Sequence, residues 1–469
     1  MKKHFLYAPL GNKRHNRELQ LSSVVSVGTL PSRLQTILVF LYFSSQVAYC
    51  VFLDYKVNHK AALVAELRGR SGTLAVLNMV PLFVLAGRNN PLISILHISF
   101  DTYNLLHRWL GRMVVVESVV HTAAWAVNAV DEQDFSDMLI RLRSTPFFTW
   151  GLVGTVAMIF LALHSPSPVR HAFYETFLHL HQLAAVLAYL GVFLHLKLDN
   201  LPQLSWAIAI AVIWFLERSA RLIRLLHLNV STGGTTTMTV QALPGEACRI
   251  QSSKYADLEK QITLPSTTKT QVSLIIGAQK GMTRRLFNLA NASPSKSLSL
   301  SGFIEGPYGS HPSNPASYGT AVLFSAGAGI THHLLYTRQL VQAANEGAAA
   351  TRRVYLVWSV RSTDHLSWVS KFMDQILRLP GRRDILTVKL FVSKPRKASD
   401  IVSPSPSVTM QAGRCRPDVV LDEILPGRTG ATLVSVCGPG AFADEVRAAA
   451  RGRIGKGAVV DFAEEAFTW

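Results

Sequence analysis

Acidic residues are scarce in this chain of 469 residues: 29 aspartates and glutamates stand against 47 lysines and arginines, a formal charge of +18 at neutral pH. Cysteine is scarcer. The four thiols, Cys50, Cys248, Cys415 and Cys437, fall singly, with no CxxC and no paired spacing. That excludes a disulfide framework and a zinc site built on cysteine pairs. The basic excess raises nucleic acid as a partner, but no aromatic-basic motif for reading bases accompanies it, so no nucleic acid is expected. No cleavable signal pattern opens the chain, so the first apolar run would itself direct insertion.

What the sequence has instead is long apolar runs. Hydrophobic residues make up 49% of the chain, and they crowd residues 34–226. A chain of this length predicts two or three domains, and that composition puts one of them in a lipid bilayer. The runs read as six spans, over 34–53, 72–86 (with Pro81 inside), 100–130, 148–163 and 173–196, and from Leu204 onward. Basic residues cluster before the first (Lys2, Lys3, Lys13, Arg14, Arg17, Arg33) and after the last (Arg218, Arg221, Arg224), which predicts both termini in the cytosol. Six crossings return the chain to its starting side, in agreement.

Two runs organise the rest. LLHRWLGRMVVVESVVHTAAW holds His107 and His121, and FYETFLHLHQLAAVLAYLGVFLHL holds His181 and His195. Fourteen residues separate each pair, which at about 100° per residue is about 40° short of four turns, so both imidazoles share one face, ~21 Å apart. The third and fifth spans run in the same direction, so His107 lies level with His181 and His121 with His195. Ionisable side chains are costly in a membrane and mark function. Two levels of facing imidazoles suit two low-spin haem irons, each taking two axial nitrogens. A lone histidine in a span is as well explained by a hydrogen bond to a neighbouring helix; one interval repeated in two spans argues against that. His179, two positions from His181, points about 200° away from it. Arg108 and Arg112 sit at the cytosolic end of the third span, placed to hold a haem propionate or there by positive-inside bias alone. Glu117, one turn from His121, has no role that the sequence assigns.

From Asn229 the composition changes. TTMTVQAL, TQVSLIIGA and SLSLSGFIEG read as strands of a small β domain. Between the last two, a helical period follows Gly281, Thr283 and Arg284, whose amides would face a phosphate at a helix N-terminus or form a surface turn. GPYGS places Gly306 and Gly309 in a loop. AVLFSAGAGITHHLLYTRQLV then runs an apolar strand into Gly327, Gly329 and Thr331 at the head of an amphipathic helix, the arrangement that cradles a dinucleotide pyrophosphate. VYLVWSVRS and ATLVSVCGPG add strands of an open parallel sheet. Arg361 ends the first, where a guanidinium would meet an adenosine 2′-phosphate and favour NADPH, or would stand in solvent. Cys437, Gly438, Pro439 and Gly440 form a loop at the carboxyl edge of the sheet, and Cys437 reads equally as a buried small hydrophobe.

HRWLGR, FYETFLHLH, GMTRRL, EGPYG, AGAGITH, VSVCGPG and the terminal EEAFTW together resemble the motifs of the fungal ferric reductases, in the wider NADPH oxidase superfamily, nearly end to end. The resemblance implies a cytosolic tail over 1–33, a six-span transmembrane di-haem domain over 34–228, a small antiparallel β-barrel for FAD over 229–310 and an α/β NADPH domain over 311–469. It implies His107, His121, His181 and His195 as ligands of two b-type haems. It puts Gly281 and Thr283 near FAD phosphates, Gly327, Gly329 and Thr331 near the NADPH pyrophosphate, the Cys437 loop near the nicotinamide, and Phe467 and Trp469 at the edge of the flavin site. The implied activity is a plasma-membrane ferric-chelate reductase of iron uptake. Its acceptors would be extracellular ferric chelates or siderophores, and it would associate with other iron-uptake components. Oxygen as acceptor, giving superoxide, is the alternative. One family feature is missing. The His-Pro-Phe-Ser/Thr motif that seats the flavin ring does not occur in PGEACRIQSSKYADLEKQITLPSTTKTQVSLIIGAQ, so the barrel is expected to lack a strand or two. A haem-binding membrane protein without flavin activity is therefore a third reading.

Overall fold

A computed structural model of the chain describes residues 1–11, 15, 19–20, 26–28, 31–57, 59–87, 90–96, 98–229, 236–252, 272–279, 281–306, 314–454 and 459–466. It forms two compact units, residues 18–222 with 308–310, and residues 1–17, 223–307 and 311–469.

The first unit is helical. Its long helices are α1 (Arg33–Val51), α2 (Lys60–Ala86), α3 (Phe100–Glu132), α4 (Pro146–His164), α5 (Tyr174–Leu198) and α6 (Leu204–Asn229), the last of which runs on past residue 222 into the second unit. By length and composition α1 to α5 can each cross a membrane, whereas α6 carries Glu217, Arg218, Arg221 and Arg224 in its second half. Local chemistry sets the ends. At α1, Ser32 and Gln35 form a reciprocal capping box, each side chain accepting from the other's backbone N–H. Pro146 opens α4, where a missing N–H costs nothing. Helix α2 begins twelve residues before the apolar run, at Lys60 rather than Gly72, because AALVAELRGR is rich in strong helix formers although too polar for lipid.

Met79, Val114, Ala157 with Met158, Ala188 and Ile210, from α2 to α6 in turn, share one apolar centre. Helix α1 contributes no buried residue. Helices α4 and α5 meet backbone to backbone, where a Cβ on Gly191 would stand 2.6 Å from the backbone nitrogen of Gly154. Lipid gives helices no hydrophobic reason to associate, so backbone contact through small residues supplies much of the attraction.

The second unit holds two sheets. Strands β1 (Thr237–Leu243), β2 (Ala247–Ser252), β3 (Val272–Gly277) and β4 (Ser297–Ser301) form an antiparallel sheet in the order β3-β2-β1-β4, with helix α7 (Met282–Ala292) between β3 and β4 in sequence. The three strands read from sequence are β1, β3 and β4. Strand β2 lies in ACRIQS, whose arginine and glutamine hid the alternation. Among the described residues β3 and β4 are the edges of an open sheet. Asn229 at the end of α6 bonds the backbone of Ile304 in both directions, at 2.8 Å each.

The other sheet is parallel and six-stranded: β5 (Thr320–Ala326), β6 (Arg353–Val360), β7 (Leu386–Val392), β8 (Val408–Ala412), β9 (Thr432–Gly438) and β10 (Val460–Ala466), ordered β8-β7-β6-β5-β9-β10. Strands β5 and β9 are buried along nearly their whole length, in keeping with their mostly apolar sequences. Helices α8 (Ile330–Asn345) and α9 (Gly440–Arg453) follow them. The N-terminal residues lie against this domain. Tyr7 packs edge-on against Phe462 at 5.7 Å, Lys2 pairs with Asp461, and the His15 backbone donates to Asp444 at 3.0 Å. The fold class is as read from sequence: a helical membrane bundle, an antiparallel sheet and a parallel α/β domain.

The α4–α5 contact leaves no room for a side chain. Gly191→Ala is expected to lower the midpoint of thermal unfolding of the detergent-solubilised protein, and Gly191→Leu to lower it by several degrees, since overpacking costs about 1–3 kcal/mol; an unchanged midpoint for Gly191→Leu would show that α4 and α5 do not touch there.

Candidate functional site

On α3 and α5 the four imidazoles meet in two tiers. The ring centres of His107 and His181 stand 6.4 Å apart, and those of His121 and His195 stand 6.2 Å apart. An imidazole nitrogen binds a transition metal at about 2.0 Å, with its ring centre about 1.1 Å behind, so two imidazoles on opposite sides of one metal have centres about 6.2 Å apart. Both gaps therefore fit one iron.

The orientation of each ring is fixed from behind. Nδ1 of His121 lies 2.8 Å from the Arg68 carbonyl, that of His195 2.9 Å from the Phe147 carbonyl, and that of His107 3.1 Å from the Leu82 carbonyl. A carbonyl only accepts, so Nδ1 carries the hydrogen and Nε2 keeps the lone pair that a metal needs. His181 has a weaker partner, the Ser165 hydroxyl oxygen at 3.4 Å, whose own hydrogen goes to the Leu161 carbonyl at 2.6 Å. The Phe147 ring also stacks on His195 at 4.0 Å.

Two glycines make these contacts possible. A Cβ at Gly72 of α2 would fall 2.4 Å from Nδ1 of His121, and one at Gly151 of α4 would fall 2.9 Å from Nδ1 of His195. Neither was singled out from the sequence. The signal available was glycine within an apolar span, which marks close helix contact in membranes. His179 is exposed, off the paired face. Arg112 is exposed too, its guanidinium 4.5 Å above the Trp109 ring, which meets Phe43 of α1. Arg112 stands about 140° round the helix from His107. Glu117 is buried and takes hydrogen bonds from the Asn78 amide. Among the described residues no cluster of His, Cys, Asp or Glu is placed to hold a bare metal ion.

The second site lies where the parallel sheet reverses its strand order. From β5 the chain proceeds outward through β6, β7 and β8, then returns to the other side of β5 as β9. Such a switch point opens a crevice at the carboxyl ends of the strands. The sequence-predicted loops meet there, with Ser325 opposite Cys437 in register. Gly327 has a φ of +56° and open space where a Cβ would be, whereas a Cβ on Gly329 would lie 2.2 Å from the Cys437 carbonyl oxygen. The first position needs glycine for its backbone, the second for its neighbour. The Trp358 indole donates to the Gly327 carbonyl at 3.0 Å. Helix α8 begins with no side-chain cap; the Ile330 N–H turns back to the Gly327 and Ala328 carbonyls, so an anion would meet the amides after it. Thr331 is exposed there and donates to the Ala328 carbonyl at 3.0 Å.

Beneath the turn, His333 is fully buried between Ser325 at 2.8 Å and Ser435 at 3.0 Å, tying α8 to both β5 and β9. Burial, helped by neighbouring His332, holds its imidazole well below the ordinary value, so it stays neutral. Cys437 is fully buried, its thiol pushed up to about 12 by burial and then by the Glu465 charge. Gly438 lies against Ala326, where a Cβ would come within 2.9 Å of the alanine's, and Pro439 precedes α9 at Gly440. Arg361 is exposed just past the carboxyl end of β6. The residues fit a dinucleotide.

The fit to a flavin nucleotide is partial. Gly281, at φ +73°, leads into α7 without a side-chain cap, as an anion site requires. Thr283 and Arg284 shape that loop: the threonine hydroxyl accepts from the Gln279 amide at 3.0 Å, and the guanidinium pairs with Glu246 at 2.9 Å and donates to the Ala278 carbonyl at 2.8 Å. Gly306 is buried with a φ of +148°. Gly309, Phe467 and Trp469 lie outside the described residues.

Paired imidazoles in apolar helices, followed by a crevice of the dinucleotide-binding kind, define a multi-pass membrane protein with a nucleotide-binding domain. Comparison with known proteins agrees. The family model described as ferric reductase like transmembrane component matches residues 71–192, and that of the ferric reductase NAD binding domain matches residues 318–451. Ferric reductase transmembrane component 4 of Saccharomyces cerevisiae is 24% identical over 80% of this chain and 54% of its own length. A probable ferric reductase transmembrane component of Candida albicans is 24% identical over 80% and 57%, and ferric/cupric reductase transmembrane component 2 of S. cerevisiae 25% over 77% and 53%. The chain spans about half the length of these curated relatives. It carries the membrane component and the NAD-binding domain of the ferric reductases in one polypeptide.

Because Gly329 abuts the backbone of β9, Gly329→Val is expected to weaken nicotinamide nucleotide binding more than tenfold in a fluorescence titration; affinity within twofold of the parent would remove this turn from the site.

Proposed function

We propose that the chain is a transmembrane reductase that passes electrons from cytosolic NADPH to ferric chelates on the far side of the plasma membrane. The observation that carries this reading is the double histidine tier, at 6.4 and 6.2 Å, in a chain that also has a dinucleotide crevice. When bound, NADPH supplies a hydride, FAD divides its electron pair, and two b-type haems carry single electrons across the bilayer.

The chain's own part is to hold and insulate. His107 with His181 and His121 with His195 would ligate the two irons through Nε2, while Leu82, Ser165, Arg68 and Phe147 keep their rings turned. Gly327, Gly329 and Thr331 would bind the pyrophosphate, with Arg361 at the 2′-phosphate as the group favouring NADPH. No side chain acts as acid or base in this scheme. The contacts of Lys2, Tyr7 and His15 with β10 and α9 support an N-terminus on the side of the nucleotide domain. With both termini on that side the number of crossings would be even, and α6 would be the sixth span.

One observation favours a second reading. The antiparallel sheet is open at β3 and β4 among the described residues, and the flavin-seating motif is missing from the sequence. In that reading the haem unit is reduced by a separate flavoprotein. Purified protein that retains FAD and reduces its haem with NADPH decides against it.

His121→Ala and His195→Ala are each expected to remove one of the two b-type signals from the dithionite-reduced spectrum and to lower NADPH-driven ferric-chelate reduction at least a hundredfold. An unchanged spectrum would refute the ligand assignment. Wild-type reduction should persist without oxygen and in the presence of superoxide dismutase; loss under either condition would make oxygen the acceptor.

A further inference from the structure

One buried ionisable group has no part in the scheme above. Glu117 of α3 is 2% exposed, within an apolar bundle. The amide nitrogen of Asn78 on α2 lies 2.9 and 3.0 Å from its two oxygens and also donates to Gln46 of α1 at 3.0 Å. Among the described residues Glu117 forms no ion pair. Arg70 of α2 is committed to Glu66 at 2.5 Å and to the Tyr49 carbonyl at 2.7 Å. From α1, Tyr42 and Cys50 are the titratable side chains within electrostatic reach. From α4, the nearby Thr155 and Met158 bring no charge, and they bond Thr122 and Ser118. The remaining titratable neighbour along α3 is His121, about 6 Å further on, whereas His107 is about 15 Å away.

A carboxylate at membrane depth needs a compensating charge or a proton. The one charge that changes nearby is that of the iron assigned to His121 and His195: with a dianionic porphyrin, ferric iron leaves a net positive centre and ferrous iron a neutral one. We propose that Glu117 is a proton-linked counter-charge to the outer histidine tier, ionised while that tier is oxidised and protonated when it is reduced. One electron then arrives from NADPH with one proton from water, and both leave on reoxidation, the electron to the acceptor and the proton to water. Net charge in the bundle is unchanged at each step. Glu117 touches no reacting atom in this account; it sets the potential of the tier. The proposal rests on the haem reading above.

The test is an optical redox titration of the purified full-length chain in nanodiscs between pH 5.5 and 8.5. One of the two reduction steps should shift with pH by up to tenfold in its equilibrium constant per unit, ~59 mV for one electron. Glu117→Gln should flatten that step, and Glu117→Asp should retain the slope. Should Glu117→Gln not fold, Asn78→Leu is expected to move the pH window of the slope, because the ionised carboxyl loses its donor. Two pH-independent steps in the wild type, a slope that survives in Glu117→Gln, or a window unmoved in Asn78→Leu would each overturn the proposal while haem absorbance stays intact. Wild-type protein with no haem absorbance would instead overturn the reading beneath it, and the proposal with it.

Discussion

The hydrogen bond from an imidazole Nδ1 to the backbone of a neighbouring helix is the constraint on which the membrane unit turns. In His107, His121 and His195 it fixes the tautomer and holds the ring, with the Ser165 hydroxyl standing in for the backbone at His181, and the ring centres stand 6.4 and 6.2 Å apart in the two tiers. It can form only if α2 and α4 come close enough for their carbonyls to reach α3 and α5. Glycine at 72 and 151 provides that approach. The Gly154–Gly191 contact then sets α4 against α5 along their middle. Packing and ligand geometry are in this sense one problem: the small residues that let helices associate in lipid also decide where the imidazoles point.

The nucleotide domain solves a different problem with the same economy of space. Two loops at the switch point approach until Gly329 meets the backbone at Cys437, and a neutral buried histidine between two serines holds the helix behind them to both strands. Nothing in this arrangement needs to titrate near neutral pH. The His333 imidazole stays uncharged and the Cys437 thiol stays protonated, and Arg361 stands exposed past the carboxyl end of β6.

Much of this was readable in the sequence because it follows from period and order along the chain. The fourteen-residue interval says which face His107 and His121 share, since helix geometry converts spacing into angle. The apolar strand leading into GAGIT says where a pyrophosphate turn lies, since the strand, the glycines and the helix are contiguous. What was not readable depends on partners distant in sequence. Gly72 carries no local sign that it lies against His121, and the Leu82 carbonyl has no side chain to announce itself. Arg112 was read from its place at a span end, but its direction was set by Trp109 and Phe43. Strand β2 escaped because a buried arginine, Arg249, bonds the Trp368 carbonyl at 2.7 Å and so breaks the apolar alternation by which strands are recognised.

The antiparallel sheet joins both kinds of evidence. The missing flavin motif was visible in the sequence, and among the described residues β3 and β4, the strands on either side of α7 in sequence, are the edges of the sheet. Counting haem in the purified full-length chain tests the central claim most directly. The account predicts two b-type haems per polypeptide by pyridine haemochromogen assay, both low-spin by electron paramagnetic resonance; one haem or none, or a high-spin signal from either, would contradict it.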